Sequence, residues 1–148
     1  MDSHYFRVRK FMTLAGQATP DKPIIPSEEI RHLRAKLILE EALETVRGLG
    51  FSGSATLYPG DNEPIIYLTQ TTMPDLIDIA DGCLDVHVVT TGTMIACGLL
   101  QDIPQEIVDQ NNLAKFGPGG YRRDDGKWVK PPNHKPPTNL LREYFDIQ

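Results

Sequence analysis

Apolar positions recur with a helical period in several stretches of this chain, and the breaks between them fall at glycine and proline. Tyr5, Val8, Met12 and Ala15 share one face of a helix predicted from about Ser3 to Ala15, capped by Ser3 and stopped by Gly16. The segment from Ala18 to Pro26 holds three prolines and predicts an extended connection. The second helix is the best defined. Ser27 supplies a cap, Glu28 and Glu29 suit the positive end, and no Gly or Pro interrupts the run to Arg47. Gly48 and Gly50 end it.

The pattern then changes. Ala55–Tyr58 and Ile65–Leu68 are β-prone runs around Pro59-Gly60-Asp61-Asn62, which predicts a small hairpin within 51–72, as a loop tip, a lid or a dimer contact. A third helix is predicted from Pro74, a favoured first helical residue, to about Leu100. Gly82, Gly92 and Gly98 lie inside that range and each costs ~1 kcal/mol relative to Ala, so tertiary contact has to hold the helix together. A fourth helix starts at Asp102-Ile103-Pro104 and ends near Phe116-Gly117-Pro118. Asp125-Gly126 predicts a tight hairpin in a tail rich in Gly, Pro and cations, and Thr138 caps a short last helix through Phe145. The expected fold is all-α: a four-to-five-helix bundle with a small β-hairpin insertion and an irregular Gly/Pro-rich C-terminal hairpin, in one domain over 1–148.

Two helical stripes depart from the simple apolar pattern. In the second helix Ile30, Leu33, Leu37, Glu41 and Glu44 follow one side, with Glu40 beside them. In the third, Asp78, Asp81, Asp85, Val88, Gly92, Ile95 and Leu99 keep a heptad spacing. Each stripe is half acidic and half apolar. Antiparallel packing, through a reversal at 51–72, brings the two acidic halves together. Carboxylates extending a core stripe are costly to bury unpaired, and several facing one another cannot all stay ionised. Mg²⁺ or Mn²⁺ resolves the conflict, since hard cations take oxygen ligands and Mg²⁺ also binds substrate phosphates. The blander reading is a solvated acidic patch.

Composition narrows the classes. A chain of 148 residues with 40% hydrophobic and 24% charged residues reads as an ordinary globular domain. A net charge of -5 argues against a nucleic-acid polymer as partner, although a local cation cluster can still hold a small polyanion. No apolar run is long enough to cross a bilayer, and Met1-Asp2-Ser3-His4 opens without the apolar core of a signal peptide, so a cytoplasmic location is expected. Cys83 and Cys97, placed in one predicted helix, lie ~21 Å apart along its axis and cannot pair with each other.

With these residues in view, the chain resembles the MazG-like nucleoside triphosphate pyrophosphohydrolases, in the superfamily of dimeric dUTPases and phosphoribosyl-ATP pyrophosphohydrolases. Leu39-Glu40-Glu41-Ala42-Leu43-Glu44 is similar to the EExxE motif of that family. Asp78-Ile79-Ala80-Asp81-Gly82-Cys83-Leu84-Asp85, with Gly92-Thr93 downstream, resembles its second acidic helix. Asn111-Asn112-Leu113-Ala114-Lys115 resembles its NxxK element, and Asp125-Gly126-Lys127-Trp128-Val129-Lys130-Pro131 its DGKxxKP tail. The order is kept over about residues 6–142. The resemblance implies hydrolysis of a nucleoside triphosphate to the monophosphate and pyrophosphate. It implies Mg²⁺ ligation by Glu41, Glu44 and Asp85, with Glu40 as a further ligand or as base for the attacking water. Many members carry ExxD in the second acidic helix, where this chain has Gly82, so Asp81 has to substitute, with Asp78 one turn further out. It also implies a homodimer or homotetramer. Asn112 is placed to bond ribose or phosphate and Lys115 to offset phosphate charge. Arg122, Arg123, Lys127 and Lys130 form the densest cation cluster, which either closes over the polyphosphate or serves as a solubilising hairpin.

Other chemistries have less support. The four histidines are scattered, and the single ExxH of Glu29 and His32 lacks the second copy that a di-iron carboxylate site needs. No GxGxxG, GxxxxGK[ST] or GxSxG is present. The non-enzyme alternative is an acidic helical module that binds a metal or a partner without turnover.

Overall fold

A computed structural model describes residues 3–147; Met1, Asp2 and Gln148, the ends of the expected 1–148 domain, lie outside the described residues. The architecture is mainly helical, with 52% helix and 11% strand. The elements run α1 (His4–Leu14), α2 (Glu28–Gly48), β1 (Phe51–Thr56), β2 (Ile65–Gln70), α3 (Leu76–Ala96), α4 (Asp102–Leu113), a 3-10 turn (Ala114–Phe116), β3 (Tyr121–Arg122), β4 (Trp128–Val129) and α5 (Thr138–Phe145). Each strand pair forms its own two-stranded antiparallel sheet. No helix among the described residues is long and apolar enough to cross a membrane.

Most helix ends follow the local chemistry. The Ser27 hydroxyl accepts from the Ile30 amide at 3.4 Å, and Gly16 turns the chain after α1 with φ of 72°. Three boundaries differ from expectation. The α3 cap is Asp75, whose carboxylate accepts from the Ile77 and Asp78 amides at 2.8 and 3.1 Å, so the helix starts after Pro74 rather than at it. It also stops at Ala96, because Gly98 takes φ of 66° and a β-carbon there would run into the Lys22 carbonyl. Gly98 thus terminates the helix and is not an interior residue. At the chain end Pro137, not Thr138, holds the cap position of α5, with no side-chain cap bond.

The first hairpin is longer than the two predicted runs. Its register pairs Phe51 with Gln70 at the base and Thr56 with Ile65 at the far end, so the strands begin directly after Gly50. Tyr58, expected in a strand, lies in the connecting segment.

Packing is uneven. The most extensively packed pair of elements is α2 with α3, and α1 lies against α3. The buried core consists of Tyr5, Val8 and Met12 from α1 with Ile95 and Ala96 from α3, joined by partly buried Ile30 and Val88. Thus α1 covers the apolar half of the α3 stripe; of the α2 stripe only Ile30 joins this core, while Leu33 stays 42% exposed, contrary to its expected core position. Arg34 of α2 is buried in the same region, and its guanidinium donates to the Gln17 side-chain carbonyl. Burial without a carboxylate partner lowers the Arg34 pKa, and the nearby Cys97 partly offsets this. Cys97 caps α3 and Cys83 is exposed; both are free thiols.

With so few fully buried side chains, each should count. Met12 is 1% exposed. Met12→Ala is expected to cost about 2–5 kcal/mol in urea denaturation. A cost below about 1 kcal/mol would show that α1 does not seal this core.

Candidate functional site: the carboxylates of α2 and α3

Three glycines record how closely α2 and α3 approach. A β-carbon on Gly48 would lie 3.0 Å from the backbone of Asp78 and Ile79. On Gly82 it would meet the Thr45 hydroxyl at 2.6 Å and the Thr45 α-carbon at 2.9 Å. On Gly92 it would meet the Arg34 guanidinium at 2.9 Å. Contacts advancing along α3 therefore step back along α2, which makes the pair antiparallel. The C-terminal half of α2 faces the N-terminal half of α3, as the stripes required. Glu41 lies one turn before Thr45, and the Thr45 hydroxyl donates back to the Glu41 carbonyl at 2.8 Å. Asp85 lies nearly one turn beyond Gly82 in the opposite direction, which sets it beside Glu41.

The electrostatics agree with that placement. The Glu41 carboxyl is half-buried and its pKa is raised, first by desolvation and then by the negative charges of Asp85, Glu44, Glu40 and Asp81. One glutamate thus senses carboxylates from both helices. Glu40 is drawn to Lys36 at 3.5 Å along its own helix. Among the described residues no ion pair forms to Glu41, Glu44, Asp81 or Asp85. Asp78 stands apart. It is exposed in the first turn of α3, against Gly48, and is not among the charges that act on Glu41.

Such an all-oxygen, cation-poor donor set fits a hard divalent ion. Among the described residues no group of three or more potential ligands is gathered tightly enough to form a ready-made metal shell. The carboxylates share an electrostatic neighbourhood, and rotamer changes of exposed side chains are needed to bring their oxygens to one point. The glycine at position 82 also gains a structural reason. It sits at the closest helix approach, where Thr45 leaves no room for an acidic side chain.

The expected substrate-binding residues form a second cluster. Lys115 donates to the Asn112 side-chain oxygen at 2.6 Å, so these two are neighbours, although Lys115 belongs to the 3-10 turn and not to α4. The Trp128 indole donates to the Lys115 carbonyl at 2.7 Å and its ring lies against Phe116, with centroids 4.7 Å apart. This ties the β3–β4 hairpin to the Asn112–Lys115 element. Gly126 makes the expected tight turn with φ of 86°. Within the hairpin, Arg123 pairs with Asp125 at 2.6 Å and Lys127 with Glu63 at 3.1 Å, while Arg122 and Lys130 make no ion pair among the described residues. Two of the four clustered cations are thus already matched to acids. Among the described residues no ion pair or hydrogen bond links this basic cluster to the carboxylates of α2 and α3.

Some groupings were not visible in the chain. His4 and His87 stack with ring centroids 4.1 Å apart, and burial lowers the His4 pKa, followed by the charge of His87. A cleft of about 510 Å³ between α3, α4 and α5 is lined by residues including Ile38, His87, Met94, Val108 and Phe145. It contains none of the six candidate carboxylates. Nothing in the sequence places those long-range neighbours together. Arg34 was legible in principle, since it lies at i+4 from Ile30 on the stripe that leads to Glu41.

No family model matches the chain, and no curated protein matches it.

Glu41 provides a direct test of the acidic cluster. A carboxyl with a raised folded-state pKa favours folding when protonated, and that contribution is lost as pH rises through the raised value. In EDTA, Glu41→Gln should therefore melt above the wild type, by a margin that opens as pH rises past the ordinary carboxylate range. Added Mg²⁺ should close the gap by stabilising the wild type alone. A margin that ignores pH, or equal stabilisation of both proteins, would remove Glu41 from such a cluster. Independently, Gly82→Ala should destabilise by about 1–2 kcal/mol in urea, because overpacking against Thr45 outweighs a helix-propensity gain of ~1 kcal/mol. A stabilised variant would show that the helices are not in close contact there.

Proposed function

We propose that this protein is a Mg²⁺-dependent nucleoside triphosphate pyrophosphohydrolase, with Mn²⁺ able to replace Mg²⁺. The reading is supported above all by one observation: the close antiparallel contact of α2 and α3 at Thr45 and Gly82 brings their acidic halves together, where desolvation first and then the neighbouring carboxylates raise the Glu41 pKa. The ordered resemblance to MazG-like enzymes adds to it, as does the antiparallel α2–α3 pair that a helical bundle of that kind requires. The reaction is NTP + H₂O → NMP + PPi, a cytoplasmic house-cleaning step on the nucleotide pool.

In this reading Glu41, Glu44, Asp81 and Asp85 hold the ion, with Asp78 the outermost candidate. The bound ion supplies charge neutralisation for the polyphosphate oxygens. Glu40 accepts a proton from the attacking water, after release from its exposed partner Lys36; such a pair is worth at most ~1 kcal/mol. Lys115 and Asn112 bind phosphate or ribose after exchanging their mutual hydrogen bond for the substrate. Arg122 and Lys130 offer the unmatched charge of the basic hairpin, with Arg123 and Lys127 available once their acids are displaced. A homodimer or homotetramer is the proposed assembly.

A second reading has an observation in its favour. Among the described residues the basic cluster makes no ion pair to the acids of α2 and α3, which suits an acidic module that binds a cation without turnover.

Incubation with a panel of NTPs and dNTPs plus Mg²⁺, followed by pyrophosphate detection, separates the two readings. Turnover is expected with at least one nucleotide, abolished by EDTA and lowered by about 10²–10⁴-fold in Glu41→Gln. Cation binding without pyrophosphate release across the panel would favour the module. Full activity in Glu41→Gln would reject this site.

A further inference from the structure

The β1–β2 ribbon is amphipathic and has nothing on its apolar face. Directly paired residues share a face and alternate along the strands, so the register sets Phe51, Ala55, Ile66 and Leu68 on one side, with Gly53 between them and Gln70 at the base. Ser52, Ser54, Thr56, Tyr67 and Thr69 lie on the other, with Ile65 at its end. Every residue of both strands is exposed; Ile66 and Leu68 retain 58% and 55% of their full accessibility. A lone two-stranded ribbon is marginal in water without a surface to pack on. The one substantial helix contact of this ribbon is made by β1 with α2. At its far end, Lys127 pairs with Glu63 at 3.1 Å, an exposed ion pair that covers none of the apolar face.

The whole chain shows the same deficit. Its accessible surface is 11323 Å². A compact monomer of 16.6 kDa exposes about 7,600 Å², leaving roughly 3,700 Å² in excess. A standard stable interface covers only about 800 Å² per partner. Part of the excess lies where the ribbon joins the helices. Thr71 and Thr72 donate to the Gly50 carbonyl at the ribbon base, and Asp75 donates to the Gly48 carbonyl. Directly after that junction Leu76 and Ile77 are 82% and 76% exposed, and Leu39, Leu43 and Leu84 are exposed further along the two helices.

From this we infer that the ribbon is an arm seated on a second copy of this chain. One molecule carries both an apolar arm and bare apolar helix surface, and the two do not cover each other. A two-fold axis lets each copy cover the other's deficit in one symmetric contact, which a single foreign ligand on the ribbon does not achieve. The excess surface is also far larger than the ribbon face needs alone, in keeping with a permanent interface. This assigns the 51–72 insertion to assembly, not to a lid. It stands whether or not the protein hydrolyses nucleotides, because its test reads mass and not turnover.

The experiment is sedimentation velocity on the full chain, with Ile66→Lys/Leu68→Lys on the apolar face and Ser54→Lys/Thr56→Lys on the polar face. Wild type and the polar-face variant should sediment as the same oligomer. The apolar-face variant should associate at least ~30-fold more weakly, the equivalent of ~2 kcal/mol, with unchanged helical circular dichroism. A monomeric wild type, or equal association in all three proteins, overturns the inference. If the apolar-face variant loses its helical signal, amide exchange on the wild type decides. Protection of both edges of the ribbon, fading on dilution as the oligomer dissociates, supports the arm. Rapid exchange at every concentration overturns it.

Discussion

The structure depends on the close approach of α2 and α3 over small residues. At Gly82 there is no room for even one more carbon without displacing Thr45 of the facing helix, at Gly48 an added carbon would press on the Asp78–Ile79 backbone, and at Gly92 it would push aside the Arg34 guanidinium. Each glycine costs helix propensity in isolation, and the close contact is what that cost permits. The approach also fixes the direction of the pair and its register. Once Thr45 lies against Gly82, the acidic halves of the two helices are adjacent, and their charges have to be accommodated there.

The accommodation is incomplete, and that is the chemically informative property. At the other end, α1 closes over Ile95 and Ala96 of α3 with Tyr5, Val8 and Met12, and Ile30 of α2 packs at its margin. At the acidic end Glu44, Asp81 and Asp85 are exposed. Glu41 is half-buried between neighbours of the same sign, and its carboxyl is harder to ionise than in water. Stability and site are thus segregated along one helix pair. Near the core, Arg34 adds a buried cation served by the Gln17 amide oxygen. At the other end of the pair Glu41, Glu44, Asp81 and Asp85 make no ion pair among the described residues.

Much of this was legible in the chain. The α2 boundaries follow from Ser27 and Gly48, and the core face of α1 from the spacing of Tyr5, Val8 and Met12. The antiparallel meeting of the acids follows from where they interrupt each stripe. The tight turn at Gly126 was readable from Asp125-Gly126. Other features were not. Asp75 displaced Pro74 from the start of α3 because its carboxylate can serve two amides, which a propensity argument does not rank. Gly98 read as an interior glycine because its positive φ follows from how the chain folds back past Lys22. The Arg123–Asp125 and Lys127–Glu63 pairs also escaped notice, since charge density along a sequence does not show which cations are already engaged.

Residue order and spacing were sufficient to establish a mainly helical protein with two half-acidic helices, because helical periodicity and capping are local and act over a few neighbouring residues. They were also enough to nominate Glu41 and Asp85 as partners. Long-range packing settled the rest. It made Gly82 a contact point where no acid can fit, set Asp78 outside the group around Glu41, and stacked His4 on His87. It also tied the Asn112–Lys115 element to the basic hairpin through Trp128. These outcomes depend on which surfaces exclude one another in three dimensions, and a linear pattern carries no record of that.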